Sequence, residues 1–298
     1  VGALALWLLR GGGAAALVDA LRPLPLSALF SALGVGVVIM VLAGLRWRVL
    51  MMAFGAAPLP SLPTLVRGFL IGLFYNSFLP GSIGGDVVRG VISRRCFSEA
   101  TASYLVVALE RMIGLSTLGL VFLLGMAVRP PPIALDGIWP WIAGLLALGV
   151  ALLVFARVSG RLARWWEKAP RVASPVGLVG AALLSLPMHG GAIAMFALLG
   201  DGLGLPLEPL AWLAVVPLVL VASALPVAIA GLGPREVAVV ALLGAFGVAQ
   251  PQALALSLSY WAALMLLALL GGLVQLVWGI SLADGQSALS AEPPGKVD

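Results

Sequence analysis

The chain has 298 residues, of which 62% are hydrophobic and only 10% are charged, and its formal net charge is +5. Soluble domains carry about 25% charged residues, so this composition excludes a soluble globular protein. The mean hydropathy is +1.14, and apolar runs of about 20 residues, long enough to span the hydrocarbon core as helices, recur along the sequence. These features predict an all-α polytopic membrane protein. Its basic excess sets topology and attracts anionic lipid, so no nucleic-acid partner is expected.

The apolar runs predict about eight membrane helices in a single transmembrane domain over residues 1–280, followed by a polar tail over residues 281–298. The second run is expected to end at the basic triplet Arg46, Trp47 and Arg48. The first run is too short to span alone, which suggests that an upstream segment precedes it. In chain order, the predicted spans are 1–18, 26–45, 63–79, 101–128, 138–156, 175–199, 209–230 and 252–280.

The basic residues of the loops predict how the chain threads the membrane. Cytoplasmic loops carry the excess of Lys and Arg, and most basic loop residues fall on one side only if the chain turns back after residue 79. A full crossing there would place Arg94 and Arg95 outside. We therefore predict a re-entrant helical hairpin, in which residues 63–79 enter and residues 80–95 return. The alternative is a full span with a kink.

An internal repeat supports the hairpin prediction. The pattern Leu-Pro-x-x-Ile-x-Gly-x-x-x-Arg runs from Leu79 to Arg89 and again from Leu225 to Arg235, at a constant offset. The loop charges give the second copy the opposite orientation. We therefore predict two re-entrant helical hairpins in an inverted repeat, with halves of roughly 26–128 and 175–280. In transporters of this design, the broken helices form the substrate site near the bilayer midplane.

Charged residues within apolar segments mark the candidate site. A charge at the centre of the bilayer costs roughly 2.5–3.5 kcal/mol, so these side chains should pair with each other or face a polar cavity. The candidate substrate-binding residues are those at the two breaks and the charged positions near them: Asn76, Pro80, Gly84, Gly85, Asp86, Arg89, Glu110, Arg111, Gly231, Gly233, Arg235 and Glu236.

Spacing predicts how these charges are arranged. Asp86 and Arg89 share one face if the returning arm is helical. The neighbours Glu110 and Arg111 should point apart, as should Arg235 and Glu236, so that each needs a partner on another helix. We expect Arg89, Arg235 and Arg111 to hold an anionic group such as a lipid phosphate, with the acids orienting them. The alternatives are ion pairs that only hold the bundle together, and a proton or ion relay.

Several kinds of chemistry lack the residues that they need. One histidine and one cysteine are too few for a typical protein metal site, and no phosphate-binding loop of the type G-x-x-x-x-G-K-[ST] occurs. The sequence gives no support to an intramembrane serine protease, and no second aspartate lies at the centre of a predicted span, as an aspartyl protease would need. We therefore expect no enzymatic activity, no metal and no cofactor.

Three motifs together resemble a known family. They are the stretch from Asn76 to Arg89, the Glu110–Arg111 pair and the Gly231-x-Gly233-x-Arg235-Glu236 segment. In this order they are similar to the lysylphosphatidylglycerol synthase transmembrane, or flippase-like, family. The resemblance covers nearly the whole chain and includes the Arg46-Trp47-Arg48 triplet. One departure is Trp261, where the resemblance leads us to expect an arginine after Tyr260.

The resemblance implies a multi-pass protein of the bacterial inner (cytoplasmic) membrane that moves a lipid between leaflets. Bifunctional relatives carry an aminoacyl-transferase domain after the membrane part, and that synthase activity is not carried over to this chain, which ends at Asp298. The expected partner is a membrane phospholipid or a hopanoid- or polyprenyl-type lipid. The sequence leaves open the coupling ion and the choice between a monomer and a homodimer.

The leading hypothesis is therefore a lipid flippase or transporter with a central polar cavity. A secondary transporter of a small soluble anion is the first alternative, and it requires an aqueous path to bulk water. The second is a non-transporting scaffold for a lipid-modifying enzyme, which requires a bundle without a cavity.

Overall fold

The computed structural model describes residues 13–78, 84–97, 100–130, 132, 173–224 and 233–277. Within these ranges it contains α-helices, one short 3₁₀ turn and no β-strand. The helices are α1 (Gly13–Leu21), α2 (Leu26–Ala53), α3 (Leu62–Phe78), α4 (Gly84–Arg94), α5 (Ala100–Val128), α6 (Pro175–Gly202), α7 (Trp212–Ser223), α8 (Pro234–Gly244) and α9 (Gln250–Val277), with the 3₁₀ turn at Pro209–Ala211.

Four of the described helices, α2, α5, α6 and α9, are long and apolar enough to cross a membrane. Their exposed surfaces carry many large aliphatic side chains, among them Leu123, Leu183 and Leu276, as expected for helices that face lipid. The all-α prediction of a multi-pass membrane protein is confirmed at this level. The predicted span 138–156 and the polar tail 281–298 lie outside the described residues.

One predicted boundary was wrong by two turns. Helix α2 does not end at the Arg46-Trp47-Arg48 triplet but continues to Ala53. The chain turns away from the helix at Gly55, two residues after Ala53. Gly55 has a φ of +72°, a left-handed conformation that glycine adopts without a steric penalty. The Gly55 N–H donates to the Met52 carbonyl and the Ala56 N–H donates to the Met51 carbonyl, which is a Schellman cap. Arg46 and Arg48 are therefore helical residues and drop out of the loop-charge count.

The order of helices repeats along the chain. Helices α2 to α5 contain 28, 17, 11 and 29 residues. The second series comprises α6 with 28 residues, the 3₁₀ turn and α7 with 3 and 12, α8 with 11 and α9 with 28. Helices α2 and α6 even end in the same way, because Gly204 has a φ of +68° and the same pair of capping bonds. The similarity of the two series in helix order and length thus extends beyond the eleven-residue sequence motif.

Contacts between the two halves come in pairs: for each contact of a first-half helix with a second-half helix, the counterparts of these two helices are also in contact. Helix α3 packs against α9, and its counterpart α7 packs against α5; likewise α5 contacts α6, and α9 contacts α2. The counterparts α2 and α6 contact each other most extensively. They run antiparallel, because Gly177 meets Ala53 at one end and Gly202 meets Ala28 at the other. An exchange of partners across an antiparallel pair is the pattern of a pseudo-two-fold axis perpendicular to these helices.

Helices α3 and α4 form an antiparallel hairpin. Gly85 lies against Gly72 so closely that a Cβ on Gly85 would be 2.6 Å from the Gly72 carbonyl oxygen, and Ile92 contacts Gly68 further along. Small residues allow membrane helices to approach this closely. The turn between the two helices, which contains Pro80, lies outside the described residues.

Two glycines that the sequence analysis did not single out let the long helices cross the opposite hairpin. A Cβ on Gly271 of α9 would lie 1.9 Å from the carbonyl oxygen of Leu70 in α3, and a Cβ on Gly125 of α5 would lie 2.5 Å from that of Leu213 in α7. Each glycine follows a Leu-Leu pair, at the same 146-residue offset as the arginine motif. At these crossings α9 lies directly against the backbone of α3, and α5 lies directly against the backbone of α7.

Candidate functional site

A chain of ion pairs links three helices of the first half, α2, α4 and α5, and a hydrogen bond connects it to α6 of the second half. Glu110 of α5, only 1% exposed, accepts hydrogen bonds from Arg46 Nη2 at 2.7 Å and from Arg89 Nη1 at 2.5 Å. Arg89 Nη2 also donates to Asp86 Oδ1, and Arg111 Nε donates to Asp86 Oδ2 at 2.5 Å. Arg46 Nη1 reaches Ser185 Oγ of α6 at 2.9 Å. The sequence prediction that Asp86 and Arg89 share a helical face, and that Glu110 and Arg111 point apart, is confirmed.

The burial of Arg89 changes its expected role. Its guanidinium is only 9% exposed, is held by two carboxylates and lies 4.5 Å from the Phe69 ring centroid. We predicted that Arg89 holds an anionic ligand. In the structure its donors are directed at Glu110 and Asp86, so it holds these acids in place instead.

Arg46 is a member of the network that sequence reasoning missed. A basic triplet at the end of an apolar run is typical of a membrane boundary, so Arg46 was expected in a loop. Its partner Glu110 lies 64 residues away, and sequence spacing carries no signal for such a pair. The only available signal was the need of a buried glutamate for a cation on another helix.

The second charged cluster is arranged differently from the prediction. Arg235 and Glu236 do not point apart: Arg235 Nη2 donates to Glu236 Oε1 at 2.6 Å, and Ser257 Oγ of α9 donates to the same oxygen at 2.9 Å. The reason is the helix start. Glu236 is the third residue of α8, and its Oε2 accepts the N–H of the N-cap residue Gly233 at 2.5 Å, which turns the carboxylate back toward Arg235.

The acids, rather than the arginines, hold equivalent helical positions in the two halves. Asp86 is the third residue of α4, as Glu236 is of α8, whereas Arg89 is the sixth residue of its helix and Arg235 the second. Carboxylates in a first turn interact favourably with the helix dipole. Arg89 and Arg235, which match in the sequence motif, therefore lie at different positions in their helices and have different neighbours.

A cavity of about 300 Å³ lies between the two halves. The C-terminal turn of α3 lines it with Leu73, Asn76 and Ser77, and the end of α7 lines it with Leu220, Ser223 and the C-cap residue Ala224. Arg111, Arg235, Tyr260, Trp261, Leu264 and Met265 complete the wall. Both halves therefore contribute residues to the wall of one cavity.

Two cations of this cavity come from different halves. Arg111 of α5 has a side chain that is 46% exposed. Arg235 of α8 is only 2% exposed; its Nε and Nη2 are bound to Glu236 and Ser257, and its Nη1 has no hydrogen bond to the described residues. Trp261, which stands where the resemblance led us to expect an arginine, also lines the cavity, so α9 contributes no arginine to its wall.

The remaining candidate residues are placed as follows. Asn76 lines the cavity, and its Oδ1 accepts the Gly85 N–H at 2.7 Å. Gly84 and Gly85 begin α4, and Gly85 makes the close approach to Gly72. Gly233 is the N-cap of α8. Pro80 and Gly231 lie outside the described residues.

We expect Asn76→Ala to destabilise the protein by about 1–2 kcal/mol, because the Gly85 N–H loses its acceptor in a partly buried place. Ser77→Ala is the matched control. Ser77 lines the same cavity, and among the described residues its hydroxyl donates only to the Leu73 carbonyl within its own helix. Thermal unfolding of both variants in detergent measures the difference, and equal midpoints would contradict the expected role of Asn76.

Comparison with known proteins identifies a family. No curated protein matches the chain. The family model described as "Lysylphosphatidylglycerol synthase TM region" matches residues 1–272, a range that contains both hairpin motifs, both charged clusters and every cavity residue. The chain therefore belongs to the lysylphosphatidylglycerol synthase transmembrane-region family.

Proposed function

We propose that this protein is a bacterial inner-membrane lipid flippase or transporter, without enzymatic activity, that moves an anionic lipid between leaflets through the cavity between its two halves. The observation that carries the proposal is that Arg111 and Arg235, one from each half, line the same cavity. Arginines bind phosphate groups strongly through several parallel hydrogen bonds.

The architecture that fits this function is an inverted repeat. The antiparallel counterparts α2 and α6 and the exchanged contacts of α3 and α7 support a two-fold axis in the membrane plane. In this arrangement α3–α4 and α7–α8 are re-entrant hairpins that enter from opposite faces. Irregular backbone at membrane depth is tolerated only where it is buried in protein or lines a cavity, and the C-terminal turns of α3 and α7 line this one.

The cavity has the composition that a lipid head group requires. Asn76, Ser77 and Ser223 offer hydrogen bonds beside the two arginines, while Leu220 and Leu264 are apolar. A volume of about 300 Å³ is at the small end of ligand pockets and admits a head group but not whole acyl chains, which would remain in the bilayer. A membrane phospholipid or a hopanoid- or polyprenyl-type lipid with an anionic group fits this description.

The test is lipid scrambling by the purified full chain in vesicles that contain fluorescent phosphatidylglycerol. We expect Arg111→Gln and the double variant Arg235→Gln/Glu236→Gln to lower the initial rate at least tenfold. The double variant keeps the buried cluster neutral and so protects folding. Arg129→Gln is the matched control, because Arg129 pairs with Glu208 on the surface. Wild-type rates in both cavity variants, with folding intact, would refute the proposal.

A further inference from the structure

We propose that Asp86 competes with the transported anion for Arg111, and that it takes up a proton when the anion binds, so that each lipid anion moves together with one proton. This inference rests on the proposed function and names the coupling ion of that site. It starts from the way in which Asp86 is shared between two arginines.

The two oxygens of Asp86 face different environments. Oδ1 accepts from the buried Arg89, and Oδ2 accepts from Arg111 at 2.5 Å. Arg111 also lines the cavity. An anion that enters the cavity and binds Arg111 shares this guanidinium with Asp86, so the two negative charges compete for one cation.

If Asp86 loses Arg111, its one remaining cation is Arg89, which it shares with Glu110. Arg89 is divided between Asp86 and Glu110, and Glu110 is also bound by Arg46. A carboxylate at membrane depth that loses an opposite charge gains stability by binding a proton. The proton adds to a carboxylate oxygen of Asp86, comes from the aqueous phase, and leaves the same oxygen when Arg111 returns.

The groups around Asp86 favour this assignment. From helix α5, Arg111 binds Asp86, and Glu110 is connected to Asp86 through Arg89, which binds both acids. Helix α3 contributes the uncharged Asn76 beside the first turn of α4, and on α4 itself Arg89 is the bound cation. Asp86 is also reachable, with a side chain that is 19% exposed.

Glu236, the counterpart of Asp86, lacks these properties. It is 3% exposed, and both of its oxygens already accept hydrogen bonds, from Gly233 N–H on one side and from Arg235 and Ser257 on the other. The two halves therefore have different tasks. The second half presents a fixed arginine, whereas the first half presents an arginine that a titratable acid can hold or release.

The expected pH dependence has a defined sign. While Asp86 is ionised it holds Arg111, so the anion binds less tightly; as the pH falls and Asp86 is protonated, the anion binds more tightly. Because one proton is linked to one anion, the apparent affinity rises by at most about tenfold per pH unit. Asp86→Asn removes the competing charge and keeps an oxygen acceptor for Arg89.

The experiment measures scrambling of fluorescent phosphatidylglycerol between pH 5 and 8 in vesicles that also contain a pH-sensitive dye. Wild-type protein should flip faster at low pH and acidify the lumen when an anionic-lipid gradient drives inward transport. Asp86→Asn should flip at the low-pH rate throughout and carry no protons. The matched control is Asp19→Asn, since Asp19 and Arg22 form an i,i+3 pair like Asp86 and Arg89 but on the surface.

A wild-type pH profile in Asp86→Asn overturns the inference, as does lipid movement by wild-type protein without proton movement. The proton measurement on wild-type protein decides the question even if Asp86→Asn does not fold. Failure of the inference is distinct from failure of the proposed function, which is judged by the arginine variants: if these lose scrambling while proton coupling is absent, the flippase proposal stands and only the coupling falls.

Discussion

Gly271→Ala is expected to destabilise the protein by about 3 kcal/mol, the upper part of the usual range for overpacking a tight contact. The added Cβ would lie 1.9 Å from the Leu70 carbonyl oxygen, and the obstacle is backbone, which cannot rotate away as a side chain can. Helices α3 and α9 therefore have to separate. Gly125→Ala should behave alike, because its Cβ would lie 2.5 Å from the backbone of Leu213.

The matched control is Gly119→Ala, on the same helix as Gly125. A Cβ at Gly119 meets nothing within 4 Å among the described residues, and alanine favours a helix over glycine by up to about 1 kcal/mol. Thermal unfolding in detergent, followed by size-exclusion chromatography, separates the three variants. Equal midpoints for Gly119→Ala and Gly271→Ala would show that the crossing is looser than the structure has it.

The sequence predicted most helix positions because glycine and proline mark their ends. The predicted segment 63–79 corresponds to Leu62–Phe78, and the predicted segment 175–199 to Pro175–Gly202. The predicted end of α2 was wrong because the Arg46-Trp47-Arg48 triplet is compatible with either a membrane boundary or a buried ion pair. Only the position of Glu110, on another helix, distinguishes the two.

The composition of the site was easier to predict than its geometry. Of the expected ligand-holding arginines, Arg111 and Arg235 line the cavity, whereas Arg89 is directed at Glu110 and Asp86. All three carry the same charge in an apolar segment. Arg235 is the second residue of α8 and Arg89 the sixth residue of α4, and the sequence does not show which of these positions faces a cavity. Trp261 lines the same cavity as Arg111, and this too depends on how α9 packs against the first half.

The asymmetry between the halves connects the fold to the proposed transport cycle. A perfectly repeated site would present two equivalent cations and offer no preferred group for coupling. Here Arg235 is fixed by Glu236 and Ser257, and Arg111 is held by an acid that is partly exposed. In the proposed transport cycle, the two halves together form the cavity, and the Asp86–Arg111 pair of the first half is the group that couples transport to protons.

Glu110→Gln is expected to cost about 3–5 kcal/mol, as when one partner of a buried ion pair is removed. The glutamate is 1% exposed and binds both Arg46 and Arg89, so its loss leaves Arg46 buried without a countercharge, while Arg89 retains Asp86. The double variant Glu110→Gln/Arg46→Gln should recover part of the loss, because it removes both charges together. Glu208→Gln is the control: Glu208 is 65% exposed in its pair with Arg129, and such pairs contribute at most about 1 kcal/mol. Thermal unfolding compares the stabilities of the wild type and the three variants, and a double variant less stable than Glu110→Gln alone would contradict the role of Arg46 as the cation that Glu110 neutralises.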